Sequence, residues 1–116
     1  MFFFFMDEGF VYLIENTFDG TYKIGYTQGN VEDRRKQLQT GSSQELLIVS
    51  EFKSRHFRNL EKYLHRAFSH LHHRGEFFNL SATDVVKFLT TCQKAEENFN
   101  VLAEHKNYFV TKPENF

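Results

Sequence analysis

The sequence predicts a mixed α/β (α+β) domain in which antiparallel strands lie beside several helices. Three observations support this fold class. Two strand-like segments, 9–15 and 22–27, flank a turn-rich stretch, as in a hairpin. An apolar run of strand length follows at 46–49. Three further segments have the capping residues and apolar spacing of helices, and 116 residues correspond to about one domain.

The first two strands are expected to pair as an antiparallel hairpin. Both are rich in β-branched and aromatic residues, and the connection at 16–20 reads Asn-Thr-Phe-Asp-Gly. Residues 46–49, Leu-Leu-Ile-Val, are apolar throughout, which predicts a strand buried on both faces beside this hairpin.

Two helices are predicted around this third strand. Asn30 is a suitable N-cap for a helix over 31–39, which Gly41 ends. Ser54 is predicted to cap a second helix, from about His56 to His70, because its apolar residues recur at three- and four-residue spacing.

The last third of the chain predicts one long helix. Ser81 and Asp84 form a variant of the capping box, and the apolar pattern continues to about Leu102. The preceding residues 75–80 predict a short strand or an extended segment, which follows a basic turn.

The chain begins with an apolar arm, residues 1–8, that includes Met-Phe-Phe-Phe-Phe-Met. Six apolar residues without a basic start are too few for a signal peptide or a membrane span. We expect the arm to pack on its own domain or on a second copy, which leaves a homo-oligomer as one alternative. The rest divides into a domain over 9–80 and a C-terminal helix and tail over 81–116 packed on that domain.

Cysteine content and charge distribution bound the function. The single cysteine, Cys92, excludes an intrachain disulfide and favours an intracellular protein. The net charge is −1, yet residues 34–74 carry nine Lys and Arg against three acids, and five of the six His. Such a segment can present a cationic face to a polyanion, although a solvated helix face is the alternative. The sequence has no Cys-x-x-Cys or other paired spacing of zinc ligands, so structural zinc is not expected.

Five short motifs lie in order between residues 12 and 78: Tyr12, Lys23-Ile24-Gly25, Arg34, Glu61 and Gly75-Glu76-Phe77-Phe78. In this order they resemble the GIY-YIG endonuclease superfamily. The runs Arg34-Arg35-Lys36-Gln37-Leu38-Gln39-Thr40-Gly41 and Glu61-x-x-x-His65 are similar to its phage and large-DNA-virus branch, which writes the second motif Lys-Ile-Gly. The resemblance covers residues 9 to about 80.

The resemblance implies a three-stranded antiparallel sheet flanked by helices, with an active site on one face. It also implies cleavage of DNA with one divalent ion, Mg²⁺ or Mn²⁺. The chain departs from the wider pattern in two places. Phe10-Val11-Tyr12 lacks the first glycine, and Lys23 stands where many members have a second Tyr.

Four residues are candidates for the chemistry: Tyr12, Lys23, Arg34 and Glu61. Glu61, the only acid on the second predicted helix, is assigned as the metal ligand, because Mg²⁺ accepts one carboxylate with waters and phosphate oxygens. Its alternative is a surface acid paired with Arg58 or His65.

Tyr12 is the candidate that orients or deprotonates the attacking water. A phenol with a pKa near ~10 is a poor base, so a neighbouring cation must lower that pKa, and we expect Lys23 to do so. Strand alternation places Lys23 and Gly25 on the face opposite Tyr22 and Tyr26. The alternatives are a core aromatic for Tyr12 and a solvated lysine for Lys23.

Arg34 can bind phosphate oxygens through its planar guanidinium, with a surface salt bridge as the alternative. Residues expected to contact nucleic acid are Arg35, Lys36, Arg58, His65 and Arg74. Glu76 and Asn79 are weaker candidates for a second acid and a polar support.

The sequence therefore predicts a metal-dependent DNA endonuclease. A catalytically weak nucleic-acid-binding module is the alternative, and a protein-interaction domain is a third hypothesis.

Overall fold

The computed structural model describes residues 8–106 and has a mixed α/β fold. Within that range no helix is long and apolar enough to cross a membrane. The strands are β1 (Gly9–Asn16), β2 (Thr21–Thr27), β3 (Leu46–Ser54), β4 (His72–Arg74) and β5 (Phe77–Phe78). The helices are α1 (Val31–Thr40), α2 (Phe57–Ala67), α3 (Ala82–Val86) and α4 (Phe88–Lys106).

The sheet has five strands in the order β3-β1-β2-β5-β4, and neighbouring strands are antiparallel. The prediction of a three-stranded sheet was therefore wrong by a second hairpin, β4–β5, which extends the β2 edge. Strand β5 lies within residues 75–80, for which a short strand or an extended segment was predicted. This hairpin turns at Gly75, whose φ of 56° is readily adopted by glycine. Strands of two and three residues are too short to show the alternation that identifies a strand in sequence.

The predicted β1–β2 hairpin is confirmed, with Tyr12 opposite Gly25 and Ile14 opposite Lys23. The third strand does lie beside it, but the prediction that both faces are buried was wrong. β3 is an edge strand, and Leu47 and Val49 are 44% and 37% exposed.

Helices cover the two faces of the sheet unequally. Helices α2 and α4 cover the face of β1 and β2 that carries Val11, Leu13 and Ile24, where they form the larger core. Helix α1 covers the opposite face with few apolar contacts. That smaller core contains Tyr12, Ile14, Val31 and Leu46. Because α1 contributes little apolar area, two cavities remain beside it among the described residues of this face.

The α1 prediction is confirmed, since the Asn30 side chain accepts a 3.1 Å hydrogen bond from the Asp33 N–H and the helix ends before Gly41. Helix α2 is shorter than predicted and is followed by a 3-10 turn at Ser69–Leu71. Its N-cap is His56 and not Ser54, which is the last residue of β3.

The predicted capping box of Ser81 and Asp84 is confirmed, but the single long helix is divided at Lys87 into α3 and α4. Helix α4 packs in the larger core through Phe88 and Cys92. Residues 1–7 of the arm and 107–116 of the tail lie outside the described residues, so oligomerisation through the arm stays a prediction.

Candidate active site

The position of Tyr12 depends on Gly25, its partner across β1 and β2. Tyr12 is 1% exposed, and its ring lies over Gly25. A Cβ atom at Gly25 would stand 2.5 Å from the Tyr12 hydroxyl oxygen and 2.7 Å from its Cζ. Glycine is therefore needed for the Tyr12 ring to lie across β2.

The edge of β2 beyond Lys23 is open, and α2 lies against it. β5 pairs with Tyr22 and Lys23, and the Ile24 N–H then donates to the Glu76 carbonyl at 3.1 Å. His65 Nε2 donates to the Ile24 carbonyl at 2.8 Å. Glu61 precedes His65 by one helical turn, so its carboxylate faces the same corner, with 3.5 Å between Oε2 and His65 Nε2.

These elements surround a polar cavity of about 420 Å³, which we call the first cavity. Three of the four predicted catalytic residues, Tyr12, Arg34 and Glu61, line it together. Its other lining residues are Tyr26, Thr27, Gln37 and Glu76. Arg34 comes from α1, and its Nη1 donates to Gln37 Oε1 at 3.1 Å.

Lys23, the fourth predicted catalytic residue, lines a second cavity of about 180 Å³. Its Nζ lies 2.7 Å from Glu76 Oε1. Because Glu76 lines the first cavity, this ion pair lies between the two cavities.

Burial raises the pKa of Tyr12, while a hydrogen bond and the positive charge of Arg34 oppose that rise. The carboxylates of Glu76 and Glu61 raise the Tyr12 pKa further. The structure thus differs from the expectation that Lys23 lowers this pKa. The cation that acts most strongly on Tyr12 is Arg34, and Lys23 is paired with Glu76 instead.

Burial also raises the pKa of Glu61, and the nearby Glu76 carboxylate adds to the rise. The His65 ring and the Lys23 and Lys62 ammonium groups oppose it. A cation in this corner would therefore relieve an unfavourable negative charge.

The side chains of Glu61, His65 and Glu76 can place one ligand atom each within 4.8 Å of one another. Two carboxylates are oxygen donors of the kind that Mg²⁺ and Mn²⁺ prefer, so the donor set fits the expected ion. His65 Nε2 carries the proton that it donates to the Ile24 carbonyl. In the neutral ring, Nδ1 is then the nitrogen with a lone pair for an ion.

The residues expected to bind nucleic acid are dispersed. Arg35 is held by Glu32 through two hydrogen bonds of 2.9 and 2.8 Å. Lys36 is exposed on α1. The Arg58 guanidinium lies 5.8 Å from the ring centroid of Tyr26, which lines the first cavity, and Arg74 lines the second cavity.

Sequence reasoning did not find Tyr26, Thr27 and Gln37 as lining residues. Alternation places Tyr26 on the Phe57 side, where the two ring centroids are 5.3 Å apart. Because the edge of β2 is open beyond Lys23, side chains from both faces of the sheet reach the first cavity. Asn79 is exposed and is absent from the described lining of this cavity.

Comparison with known proteins places residues 9–93 in one family. The chain belongs to the T5orf172 domain family. This is a phage-associated domain related to the GIY-YIG nuclease-like fold. No curated protein and no solved structure matches the chain. The T5orf172 match begins at the first residue of β1 and ends within α4, so it includes every residue of both cavities.

Proposed function

We propose that this T5orf172 chain is a divalent-metal-dependent endonuclease of the GIY-YIG type that hydrolyses DNA phosphodiester bonds. The observation that carries the proposal is the convergence of Tyr12, Arg34 and Glu61, from three separate elements, on one polar cavity. Ordinary surface residues would not be expected to meet in this way. Membership of a nuclease-related family supports the same function.

Each residue has a role in this proposal. Arg34 binds the non-bridging oxygens of the phosphate and stabilises the charge that develops on them. Tyr12 orients the attacking water through its hydroxyl. We favour orientation over deprotonation because burial raises the pKa of Tyr12. Lys23 holds the Glu76 carboxylate beside Glu61, at 2.7 Å from its own Nζ.

Glu61 is the proposed primary ligand of Mg²⁺ or Mn²⁺, and Glu76 and His65 are the groups near enough to assist. The ion would supply Lewis-acid stabilisation of a phosphoryl oxygen. Glu61 lies on a helix packed in the larger core, which fixes its carboxylate relative to Tyr12.

A catalytically weak DNA-binding module is the second candidate. The observation that favours it is the Lys23–Glu76 ion pair, which neutralises the lysine expected to act in catalysis. In this case Arg34 and Arg58 would hold phosphates without cleavage.

The experiment that separates the two candidates is a nicking assay. Purified protein is incubated with supercoiled plasmid and with single-stranded DNA, with Mg²⁺, with Mn²⁺ and with chelator. The endonuclease proposal expects nicking with metal and none with chelator. It also expects Tyr12→Phe to lower the nicking rate by about 100-fold, and Tyr63→Phe, on the exposed side of α2, to leave it unchanged. DNA binding without nicking under every condition would favour the binding module.

A further inference from the structure

The second cavity lies beside the proposed active site on the sheet face that carries Tyr12. It is lined by Asn16, Lys23, Leu38, Ser42, Gln44, Leu46, Arg74 and Phe77. Glu76 lines the first cavity and Lys23 lines the second, and their charged groups lie 2.7 Å apart, so the two cavities adjoin. A polymer bound in the first cavity could therefore extend into the second.

The walls of the second cavity combine an apolar surface with hydrogen-bonding groups. Leu38, Leu46 and Phe77 supply the apolar part. Asn16 Nδ2 donates to Gln44 Oε1 at 2.5 Å. Within residues 8–106, Gln44 Nε2 has no hydrogen-bond acceptor, so its N–H groups are free to donate to a ligand.

The rim of the second cavity is cationic. Arg74 is exposed, and its side chain makes no hydrogen bond or ion pair within the described part of the chain. Lys23 Nζ lies 5.5 Å from the centroid of the Phe77 ring. No acid lines the cavity itself among the described residues, although Glu76 pairs with Lys23 at its edge.

Among residues 8–106, the second cavity thus offers an apolar wall, an amide donor without an acceptor and a guanidinium without a partner. The wall suits the face of a base, the amide suits an acceptor on its edge, and the arginine suits its phosphate. A volume of about 180 Å³ accommodates one base and not a base pair. A base must therefore be unpaired, or leave the stack, to enter.

We propose that the second cavity binds one unpaired nucleotide next to the bond that is cut. The substrate class is then DNA with an unpaired base, as in a single strand or a bulge, and not uniform duplex. This proposal rests on the proposed function, because it names the substrate of that same site.

The test measures DNA binding in chelator, where no cleavage occurs. The probe is a short duplex with one unpaired fluorescent adenine analogue, and the comparison is the same duplex fully paired. We expect the wild type to bind the bulged duplex at least about fivefold more tightly and to change the fluorescence of the unpaired base. Arg74→Gln and Gln44→Leu should each remove most of that preference.

The matched control is Arg55→Gln, which removes the same charge from an exposed position at the opposite end of β3. It should keep the preference. Equal affinity of the wild type for bulged and paired duplex, or equal behaviour of Arg74→Gln and Arg55→Gln, would overturn the proposal.

The outcome separates this inference from the proposed function. A preference for the bulged duplex together with no nicking in metal would support the nucleotide cavity and overturn the endonuclease. Metal-dependent nicking without any preference for the bulged duplex would support the endonuclease and overturn the nucleotide cavity. Absence of all DNA binding would overturn both.

Discussion

Gly25 and Tyr12 form the closest-packed contact in the candidate active site. The Tyr12 ring occupies the space that any side chain at position 25 would need, since a Cβ there would stand 2.5 Å from the hydroxyl oxygen. The ring is buried between β2 and the residues of the smaller core, so it has little room to move. The glycine of the Lys-Ile-Gly motif is thus explained by a side-chain position and not by a turn.

Gly25→Ala is predicted to lower the free energy of unfolding by about 1–3 kcal/mol, as overpacking of a core commonly does. It should also reduce nicking, because the Tyr12 hydroxyl must shift. Gly29→Ala is the control, since its Cβ would meet only the Thr27 hydroxyl at 3.8 Å. Denaturant melts of both variants check this, and equal stabilities would contradict the close packing of Tyr12 on Gly25.

The Glu61 carboxylate is expected to destabilise the metal-free fold at neutral pH. Burial raises its pKa above the ordinary 4.5, so the native state holds this proton more tightly than the unfolded chain does. The stability that the protonated Glu61 carboxyl contributes is fully present below pH 4.5. It is lost as the pH rises through the pKa of Glu61 in the folded protein.

In chelator at neutral pH, Glu61→Gln should therefore raise the melting temperature, because the neutral amide removes the buried charge. The difference in melting temperature between Glu61→Gln and the wild type should disappear below pH 4.5, the ordinary pKa of a glutamate. Thermal melts across pH measure this, with Glu104→Gln, an exposed acid on α4, as the control. A lower melting temperature for Glu61→Gln at neutral pH would show that its carboxylate is stabilising.

At the scale of elements, α4 fixes the start of α2 through a buried carboxylate. Glu96 Oε1 accepts a 2.7 Å hydrogen bond from the Ser54 hydroxyl, and Oε2 accepts a 3.0 Å hydrogen bond from the Arg55 N–H. The Ser54 hydroxyl also accepts from the His56 N–H at 2.9 Å. These bonds hold the β3–α2 turn and, through α2, the position of Glu61.

Glu96→Ala is predicted to lower the free energy of unfolding by about 1–3 kcal/mol, because the Ser54 hydroxyl and the Arg55 N–H lose their acceptor. Glu97→Ala removes an exposed acid one residue later and should change stability little. Urea denaturation compares the two variants. Similar midpoints would mean that the Glu96 contacts contribute no stability.

The elements that sequence reasoning found are those whose own residues specify them. Asn30, Ser81 and the apolar spacing of α2 act locally, so the helix starts and the packed face could be predicted. β4 and β5 exist because β2 offers them an edge, a property of the tertiary fold. The burial of Glu96 and the exposure of Leu47 likewise depend on which elements lie opposite.

The candidate site was predictable in the same uneven way. Motif order predicted Tyr12, Arg34 and Glu61, which share the first cavity. The partner of Lys23 was not predictable, because Glu76 is brought to it by the pairing of β5 with β2 and β4, although a short strand was one prediction for residues 75–80. Strand β5 pairs with Tyr22 and Lys23, so the rest of the β2 edge stays open. The side chains of Glu61 and Tyr26 can therefore both line the first cavity.

At the scale of the whole molecule, the basic central segment and the acidic flanks predict electrostatic DNA binding by a chain of net charge −1. Affinity for duplex DNA in chelator should fall steeply as salt rises, by about tenfold or more between 50 and 200 mM. Fluorescence anisotropy at several salt concentrations measures the slope. Affinity that does not depend on salt would contradict a phosphate-binding face and favour a protein-interaction domain.

The most direct test of metal-dependent cleavage at the first cavity is the rate of DNA nicking by Glu61→Gln at saturating DNA across a Mg²⁺ titration. Glu61→Gln keeps the shape of the side chain and removes its charge. We predict a rate at least about 100-fold below the wild type at every Mg²⁺ concentration, with DNA binding in chelator retained and Glu104→Gln unchanged. Nicking by Glu61→Gln at the wild-type rate would contradict the assignment of the first cavity as the catalytic centre.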